Sequence, residues 1–376
     1  MNFKSLGIHE DTLINLKRHG ITSPTPIQAE AIPVIKTGKD VIAQAQTGTG
    51  KTLAFLLPIF EKINPKLPHV QALILTPTRE LALQITEEAE KMATNRGINI
   101  LAVYGGKDPN KQIKKLGNAT HVVVATPGRL LDYIGRRTIN LSQTKIFVLD
   151  EADQMLFMGF KNEVEAVIHQ LPKKRQTLCF SATMDSAVKK LAYRYTKNPA
   201  TITIEKQKIT LSAIKQEVVE TTDRWKQDSL CKVLDEDQPF LAIIFCRTKR
   251  RVDALEESLK KRGYNVAKLH SDILQSKRER IMKAFRKADL QYLVATDVAA
   301  RGIDVTGVTH IYNYDIPETP EAYIHRIGRT GRDGEEGYTC VFVDPKNAQT
   351  LVDIEKTIKM TLPRRLVDIG RPIKKD

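Results

Sequence analysis

The sequence has little cysteine and no long apolar segment. Its four cysteines, Cys179, Cys231, Cys246 and Cys340, are far apart and form no CxxC pair, so neither a disulfide framework nor a zinc cluster is predicted. No apolar run approaches the ~18 residues of a membrane span, and the first residues lack the basic-then-apolar pattern of a signal peptide. We therefore expect a protein of the reducing cytoplasm that contacts no membrane, with Cys179 and Cys246 buried as small apolar side chains.

Acidic residues are outnumbered by basic ones. The chain has 59 Lys and Arg residues and 44 Asp and Glu residues, which leaves a formal net charge of +15. Such a surplus attracts phosphate backbones, although solubility alone is the alternative explanation. The length of 376 residues exceeds one ordinary core and suits two domains of about 150–200 residues. Composition therefore predicts a two-domain protein with a polyanionic partner.

A phosphate-binding loop is indicated near the start of the chain. It consists of eight consecutive residues, which are Ala45, Gln46, Thr47, Gly48, Thr49, Gly50, Lys51 and Thr52. An apolar run at 40–43 precedes the loop and a helical pattern at 53–59 follows it, so backbone N–H groups and a helix N-terminus would face a phosphate group. Lys51 would reach the β- and γ-phosphates, and Thr52 would help to hold Mg²⁺. A β-to-α turn without a ligand is the alternative.

Short apolar runs alternate with helical patterns along most of the chain. They lie at 40–43, 72–75, 100–103, 122–125, 146–149 and 177–180, and again at 216–220, 241–245, 266–269, 292–295, 310–313 and 340–343. Continuous apolar runs separated by helices predict parallel sheets covered by helices on both faces. Such sheets bind ligands at the carboxyl ends of their strands. We therefore predict an α/β fold with two such sheets in tandem.

The N-terminal region predicts a contact with a base. A helical pattern covers residues 3–18 and ends at Gly20, and two prolines then precede a helix that starts near Ile27. Gln28, held in this way, can offer a donor and an acceptor to an adenine edge, and Phe3 can stack on the ring. Taken alone, these residues fit a capped helix with an idle Gln equally well.

Two adjacent carboxylates end the apolar run at 146–149. Beside a phosphate-binding loop, Asp150 would bind the Mg²⁺ that bridges the phosphates, and Glu151 would orient and deprotonate the attacking water. A solvated acidic pair at a helix start is the alternative. The pair is informative because Lys51 and its loop come first in the chain.

Arginine recurs at every third residue at Arg326, Arg329 and Arg332. If one helix carries the first two, they lie on neighbouring turns and both reach one anion. Such a residue acts as an arginine finger, which neutralises charge on the γ-phosphate and is worth ~10³–10⁵ in rate. A basic surface that attracts nucleic acid is the alternative. The intervening glycines, which let the backbone approach closely, favour the finger.

Together these motifs resemble those of the DEAD-box RNA helicases, whose name is spelled by Asp150, Glu151, Ala152 and Asp153. The resemblance covers nearly the whole chain. It implies two RecA-like domains, with ATP in the cleft between them and RNA lying across both. The implied divisions are an ATP-binding domain at 1–205 with a Q motif near 3–28, a linker at 206–213, a second helicase domain at 214–365 and a short basic tail at 366–376.

The resemblance also implies roles for single residues. The adenine-recognition element would be Phe3, Gly20 and Gln28, and the link between hydrolysis and duplex opening would be Ser181 and Thr183. The residues that complete the nucleotide site from the second domain would be Gly302, Asp304, Arg326 and Arg329. The residues that face RNA would be Pro77, Arg79, Gly105, Gly106, Thr126, Arg129, Thr248, Gln275, Arg278 and Thr296. Because such residues grip phosphate and ribose, binding should ignore base sequence and weaken with salt.

Two features differ from many relatives. Ser271 stands where many members have Gly, which leaves the path of that loop open. The sequence also ends soon after the second domain, where many bacterial relatives continue into an RNA-binding tail. We therefore expect target selection to come from the core surface, the basic tail or a partner.

The sequence leaves three activities open. They are an RNA-stimulated ATPase that unwinds or remodels RNA, an ATP-gated RNA clamp that unwinds little, and a DNA translocase of the same superfamily. The resemblance favours the first, with ATP and Mg²⁺ as cofactors, and we expect a monomer. Ribosomal or RNA-degradation complexes are the expected partners, because ribosome assembly and mRNA turnover are habits of the family.

Overall fold

The structure, a computed structural model, describes residues 2–46, 48–106, 119–204, 214–300, 305, 307–331 and 336–369. The chain divides into two compact units, residues 1–206 and 207–376, hereafter the first and the second unit. The predicted linker at 206–213 lies outside the described residues, as do Thr47, Gly302, Asp304 and Arg332.

The first unit is built on one sheet of seven strands. They are β1 (Val41–Gln44), β2 (Ala72–Leu75), β3 (Ile100–Val103), β4 (Val122–Ala125), β5 (Ile146–Leu149), β6 (Gln176–Ser181) and β7 (Ala200–Thr203). The order across the sheet is β3-β4-β2-β5-β6-β1-β7, and every pairing is parallel. All carboxyl ends of these strands therefore lie at one edge, hereafter the first rim.

Helices cover both faces of this sheet. The described ones are α1 (Glu10–Arg18), α2 (Pro26–Lys36), α3 (Lys51–Lys62), α4 (Arg79–Met92), α5 (Pro127–Gly135), α6 (Ala152–Phe157), α7 (Lys161–Ile168) and α8 (Ser186–Tyr195). Along β1, Val41 and Ala43 pack into one apolar cluster and Ile42 packs into another. Phe55 of α3 packs edge-on against Phe180 of β6, with ring centroids 5.3 Å apart, and this contact fixes the helix that follows the phosphate-binding loop.

The second unit is built on a sheet of six strands. They are β8 (Ile214–Glu220), β9 (Ala242–Phe245), β10 (Val266–Leu269), β11 (Tyr292–Ala295), β12 (His310–Asn313) and β13 (Gly337–Val343). Their order is β10-β11-β9-β12-β13-β8, again with parallel pairing, so their carboxyl ends form a second rim. The described helices are α9 (Lys226–Asp237), α10 (Lys249–Lys261), α11 (Gln275–Arg286), α12 (Asp297–Ala300), α13 (Pro320–Ile327) and α14 (Ala348–Ile358).

The predicted fold class is confirmed in both units. The runs at 72–75, 122–125 and 292–295, for example, are strands with the predicted bounds. Cys179 and Cys246 are buried in apolar clusters, as expected. Within the described ranges, no helix combines the length and the apolar composition of a membrane span.

Two local features differ from the sequence-based expectations. The first helix does not start at residue 3: it begins at Glu10, because Gly7 adopts a φ of 68° and holds the residues before it in turns. Strand β7 is not among the predicted strands. Only Ile202 of its residues is buried, so its sequence lacks an apolar run, and pairing with β1 holds it at the sheet edge.

Residues after α14 pack against the edge of the second sheet. Val218 of β8 donates its N–H to Pro363 O at 2.9 Å and accepts the N–H of Arg365 at 2.8 Å. The side chain of Arg365 donates to Asp237 at 2.7 Å and to Tyr338 at 2.8 Å. This segment therefore covers the open edge of β8, where unpaired backbone groups would otherwise face solvent.

Replacing Arg365 with Ala should destabilise the second unit. The change removes a hydrogen-bond donor from the partly buried Asp237 carboxylate and an ion pair with Glu217, which should cost about 1–3 kcal/mol of unfolding free energy. Urea unfolding followed by the fluorescence of Trp225, the single tryptophan, reports on this unit. Lys261→Ala is the control, because its ion pair with Glu257 is mostly exposed and should change stability by less than about 0.5 kcal/mol. Equal urea midpoints for Arg365→Ala and wild type would contradict the prediction.

The effect should depend on pH. Burial raises the pKa of Glu217, but hydrogen bonds from Lys215 and Tyr338 outweigh burial and lower it, and a hydrogen bond from Arg365 lowers the pKa of Glu236. A lowered carboxyl pKa contributes stability that is present above the unfolded value of about 4.3 and is lost as pH falls through the folded value. The difference between wild type and Arg365→Ala should therefore be largest near neutral pH and shrink below about pH 4.

Candidate active site

The loop between β1 and α3 has the backbone that phosphate binding requires. Gly48 and Gly50 have φ of 84° and 88°, which side chains with a Cβ rarely adopt. A Cβ on Gly50 would also lie 2.5 Å from Gln28 Nε2 and 2.9 Å from Thr25 Oγ1. Because α3 begins directly at Lys51, its N-terminal N–H groups and partial positive charge lie beside the loop.

Gln28 ties the start of α2 to this loop. It is 2% exposed; its Oε1 accepts the N–H of Thr25 at 3.0 Å, and its Nε2 donates to Gly50 O at 3.0 Å. Both ends of the Gln28 amide are therefore hydrogen-bonded, and the side chain holds the phosphate-binding loop against the start of α2. Phe3 is 3% exposed and belongs to an apolar cluster of the first unit. Recognition of adenine by either side chain stays a prediction.

The ammonium group of Lys51 is buried without a neighbour to bond. The side chain is 6% exposed, and its Nζ has no hydrogen-bond partner among the described residues. A buried charge without a bonded partner is costly. The Asp150 carboxylate is near enough to act on this charge but does not bond it. A phosphate oxygen at this nitrogen would supply the missing acceptor, and this is the position predicted for the β- and γ-phosphates.

The two predicted carboxylates follow β5 at the first rim. Asp150 donates its N–H to Leu75 O at 2.9 Å and is 3% exposed. Burial raises the pKa of Asp150, while the Lys51 charge and the N–H of Glu151 act in the opposite direction. Glu151 is the N-cap of α6 and has φ 51° and ψ 52°. This left-handed conformation is costly for a residue with a side chain and is typical of functional sites.

Asp153 joins the carboxylate turn to the end of β6. Its Oδ2 accepts the N–H of Thr183 at 3.1 Å and the Oγ1 hydroxyl of Thr183 at 3.0 Å, and its own N–H donates to Ser181 Oγ at 3.2 Å. The predicted coupling residues thus contact the turn that carries Asp150 and Glu151. Sequence reasoning gave Asp153 no role, although its place in the name-giving motif was a signal.

Strand order separates the predicted residues of the first rim into two groups. The predicted RNA-facing residues follow β3, β4 and β2, which are neighbours on one side of the sheet. The predicted nucleotide residues follow β5 and β1 on the other side. Of the coupling residues, Ser181 ends β6 and Thr183 follows it, and β6 lies between β5 and β1.

The predicted RNA-facing residues of the first unit include a closely packed pair, Arg79 and Gly105. A Cβ on Gly105 would lie 3.1 Å from Arg79 Nη2, so the Arg79 guanidinium lies against the bare backbone after β3. The other predicted RNA-facing residues of this unit, which lie in the turns or first helical turns after β2, β3 and β4, are Pro77, Gly106, Thr126 and Arg129.

The RNA-facing residues of the second unit differ in exposure. Thr248 is exposed at the start of α10, and Thr296 directly follows β11. Gln275 and Arg278 are only 4% and 6% exposed. Arg278 donates to His270 O at 2.8 Å and so holds the turn after β10. Their contact with RNA stays a prediction.

The Arg326 guanidinium is hydrogen-bonded to residues of its own unit. Arg326 is 2% exposed. Its Nε and Nη2 donate to the two carboxylate oxygens of Asp297 at 2.6 and 2.7 Å, and its Nη1 donates to Asn313 Oδ1 at 3.0 Å and to Asp315 O at 2.6 Å. The Asp315 carboxylate in turn accepts the N–H of Arg247 at 2.9 Å. Arg326 therefore connects the turns next to Thr296 and Thr248.

Arg329 does not share a helix with Arg326. Helix α13 ends at Ile327, and Gly328 follows as its C-cap, so the condition that one helix carries both arginines is not met. The two side chains nevertheless line one small cavity together with Asp297. A finger role for either arginine stays a prediction.

The described residues of the first rim fit ATP and Mg²⁺. The unpartnered Lys51 ammonium and the left-handed glycines suit phosphate oxygens. The buried Asp150 carboxylate and the Thr52 hydroxyl are oxygen donors of the kind that Mg²⁺ prefers.

Comparison with known proteins gives matches in both units. The family model of the DEAD/DEAH box helicase matches residues 25–191, and that of the helicase conserved C-terminal domain matches residues 225–334. The chain is 46% identical over 364 residues to the DEAD-box ATP-dependent RNA helicase CshA of Bacillus subtilis, covering 97% of this chain and 74% of that protein. It is 47% identical over 362 residues to CshA of Limosilactobacillus reuteri, covering 96% and 73%.

Solved structures with bound RNA and nucleotide are similar as well. S. cerevisiae Dbp5 bound to RNA and ADP BeF3 has a TM-score of 0.89 at 35% identity, covering 96% of this chain and 95% of that chain. Mss116p bound to ssRNA and AMP-PNP has a TM-score of 0.86 at 31% identity, covering 97% and 78%.

Replacing Lys51 with Ala should abolish stabilisation by ATP. A ligand that binds only the folded state at 100 times its Kd adds about 2.7 kcal/mol, and removal of the buried ammonium removes the charge that meets the phosphates. Thermal unfolding with and without Mg·ATP measures this. Lys62→Ala is the control: Lys62 ends the same helix and bonds Ile35 O and Gln176, so this variant should lose stability yet keep the ATP shift. If Mg·ATP raised the unfolding temperature of Lys51→Ala as much as that of wild type, the loop would not be the phosphate-binding site.

Proposed function

The chain belongs to the DEAD-box family of ATP-dependent RNA helicases, and from that premise we propose that the first rim hydrolyses ATP while both rims hold RNA. The observation that carries the assignment of the nucleotide site is the buried, unpartnered Lys51 ammonium at the end of β1. Among the described lysines, no other ammonium nitrogen is buried without a hydrogen-bond partner.

Hydrolysis would use residues that the fold already holds in place. The N–H groups around Gly48 and Gly50 and the Lys51 ammonium bind phosphate oxygens. Mg²⁺, held by Thr52 and Asp150, would supply positive charge to the phosphates. Glu151 takes the proton of the attacking water as general base. From the second unit, Arg329 with Gly302 and Asp304 would complete the nucleotide site, and Arg326 would keep the neighbouring turns in place.

Coupling between ATP and RNA would run along the first rim. Asp153 shares the turn of Asp150 and Glu151 and bonds Ser181 and Thr183. A change of the carboxylate turn on hydrolysis therefore changes a contact at the end of β6. Because β5 is paired with β2, whose carboxyl end leads to Arg79, the same turn borders the RNA side.

RNA recognition would be independent of base sequence. The assigned residues offer cationic side chains, hydroxyls and backbone next to glycine, which suit phosphate and ribose. The net charge of +15 adds long-range attraction. In the cell we propose a monomer in the cytoplasm that remodels RNA in ribosome assembly or mRNA turnover. The similarity to bacterial ATP-dependent RNA helicases supports the action on RNA.

Glu151→Gln should bind ATP and RNA but hydrolyse ATP at least about 100-fold more slowly, since general-base catalysis contributes about 10²–10⁴ in rate. Binding is measured with a fluorescent ATP analogue and turnover by phosphate release. Glu163→Gln, on α7, makes the same chemical change at a residue that is assigned to no site and should leave turnover unchanged. Turnover of Glu151→Gln within a few-fold of wild type would refute the assignment.

A strand-displacement assay on RNA and DNA duplexes, with and without ATP, tests the activity itself. ATP-dependent separation of RNA duplexes alone is the expected result. Retention of RNA on ATP addition without displacement would instead indicate a clamp. Directional movement on DNA would indicate a translocase.

Thr183→Val should reduce unwinding more than hydrolysis. It removes the hydroxyl donor to Asp153 and keeps the N–H bond, a loss of about 1 kcal/mol. We expect RNA-stimulated ATP turnover close to that of wild type and strand displacement reduced about fivefold, since about 1.4 kcal/mol would correspond to tenfold. Thr177→Val, at the other end of β6, is the control and should retain both activities. The proposal fails if Thr183→Val unwinds at the wild-type rate or loses both activities equally.

A further inference from the structure

Helix α11 carries an unusual row of positive charge on its outer face. Lys277, Arg280 and Lys283 of the helix and Lys287, its C-cap, are exposed. Their spacing of three, three and four residues places them on one side of the helix. These four residues are hereafter the basic stripe. With a rise of about 1.5 Å per residue, the basic stripe is about 15 Å long.

The basic stripe lacks the carboxylate partners that other cations of this unit have. On α10, Lys260 lies 2.6 Å from Glu256, and Lys261 lies 2.8 Å from Glu257. Within the described parts of the chain, none of the four stripe residues forms an ion pair. Like charges three or four residues apart on a helix destabilise it by about 0.2–0.5 kcal/mol per pair. A polyanion on this face would relieve that repulsion.

The stripe begins at the second rim and runs away from it. Helix α11 follows β10, the edge strand of the sheet, and its first residue is Gln275 of the proposed RNA-facing set. Its inner face is fixed, because Phe285 packs with Leu269 of β10 and Leu293 of β11. A strand of RNA that leaves the rim over β10 would therefore meet the stripe.

We propose that the basic stripe binds the phosphate backbone of RNA that extends beyond the segment held at the rims. This inference rests on the proposed RNA-binding function of the rims. It differs from the rim contacts in kind, because the side chains are exposed lysines and an arginine that contact phosphate only. The stripe would add affinity for long or partly double-stranded RNA and would leave the chemistry of ATP hydrolysis unchanged.

The test compares two RNAs and two triple variants. One RNA is a short single strand, and the other is the same strand extended by a flanking duplex. The stripe variant is Lys277→Gln, Lys283→Gln, Lys287→Gln. The control variant, Lys232→Gln, Lys260→Gln, Lys261→Gln, removes the same charge from residues that form ion pairs in the same unit. Glutamine has nearly the helix propensity of lysine, and circular dichroism confirms that both variants are folded.

Affinity is measured over a range of salt concentrations with a non-hydrolysable ATP analogue present. The stripe variant should bind the extended RNA about tenfold more weakly, and the slope of log K against log salt should fall by about 2, since each neutralised phosphate contributes about 0.7–0.9. Its affinity for the short RNA and its ATP turnover on that RNA should equal those of wild type. The control variant should behave as wild type with both RNAs.

Several results would overturn the proposal. They are wild-type affinity of the stripe variant for the extended RNA, an equal loss with both RNAs, and an equal loss in the control variant. Wild type that binds both RNAs equally would overturn it as well. Failure of the proposed function is distinguishable, because wild type would then show no ATP turnover on the short RNA. The single variant Lys283→Glu, which reverses one charge at the centre, should weaken binding of the extended RNA in the same way.

Discussion

The parallel direction of every strand pairing is the constraint on which the rest of the structure depends. Because strands of both sheets run the same way, each apolar run delivers the residues after it to one edge. Polar groups that are far apart in the sequence therefore lie at the same edge of the sheet. Parallel strands are joined by crossover helices, which cover both faces of each sheet and exclude water from the strands.

Strand order then decides which groups meet. In the first unit, β6 lies between the strand that leads to Asp150 and the strand that leads to Lys51. Its end provides Ser181 and Thr183, and the Asp153 carboxylate bonds the second of them. In the second unit, Arg326 plays a corresponding part, because its guanidinium bonds Asp297 after β11 and the backbone after β12. Each unit thus holds a buried, hydrogen-bonded side chain that joins the turns after different strands.

Much of this could be predicted from the sequence, and the exceptions share a physical cause. Continuous apolar runs and the residues that follow them predicted most strands and the rim, because burial on both faces leaves a strong local pattern. β7, the docked segment at 363–365 and the four hydrogen bonds of Arg326 left no such pattern. They depend on partners far away in the chain, such as β1, Val218 and Asp297. Arg326 therefore looked in sequence like a free cation, whereas in the structure it is almost wholly engaged.

The central claim is that nucleotide and RNA are bound by one connected arrangement, so that each changes the affinity for the other. The most direct measurement is the RNA affinity with and without a non-hydrolysable ATP analogue, together with the affinity of the analogue with and without RNA. Linkage requires the two ratios to be equal, and we predict that both exceed about 5, the low end of typical coupling between sites. RNA affinity that does not change when the analogue is added would contradict the account.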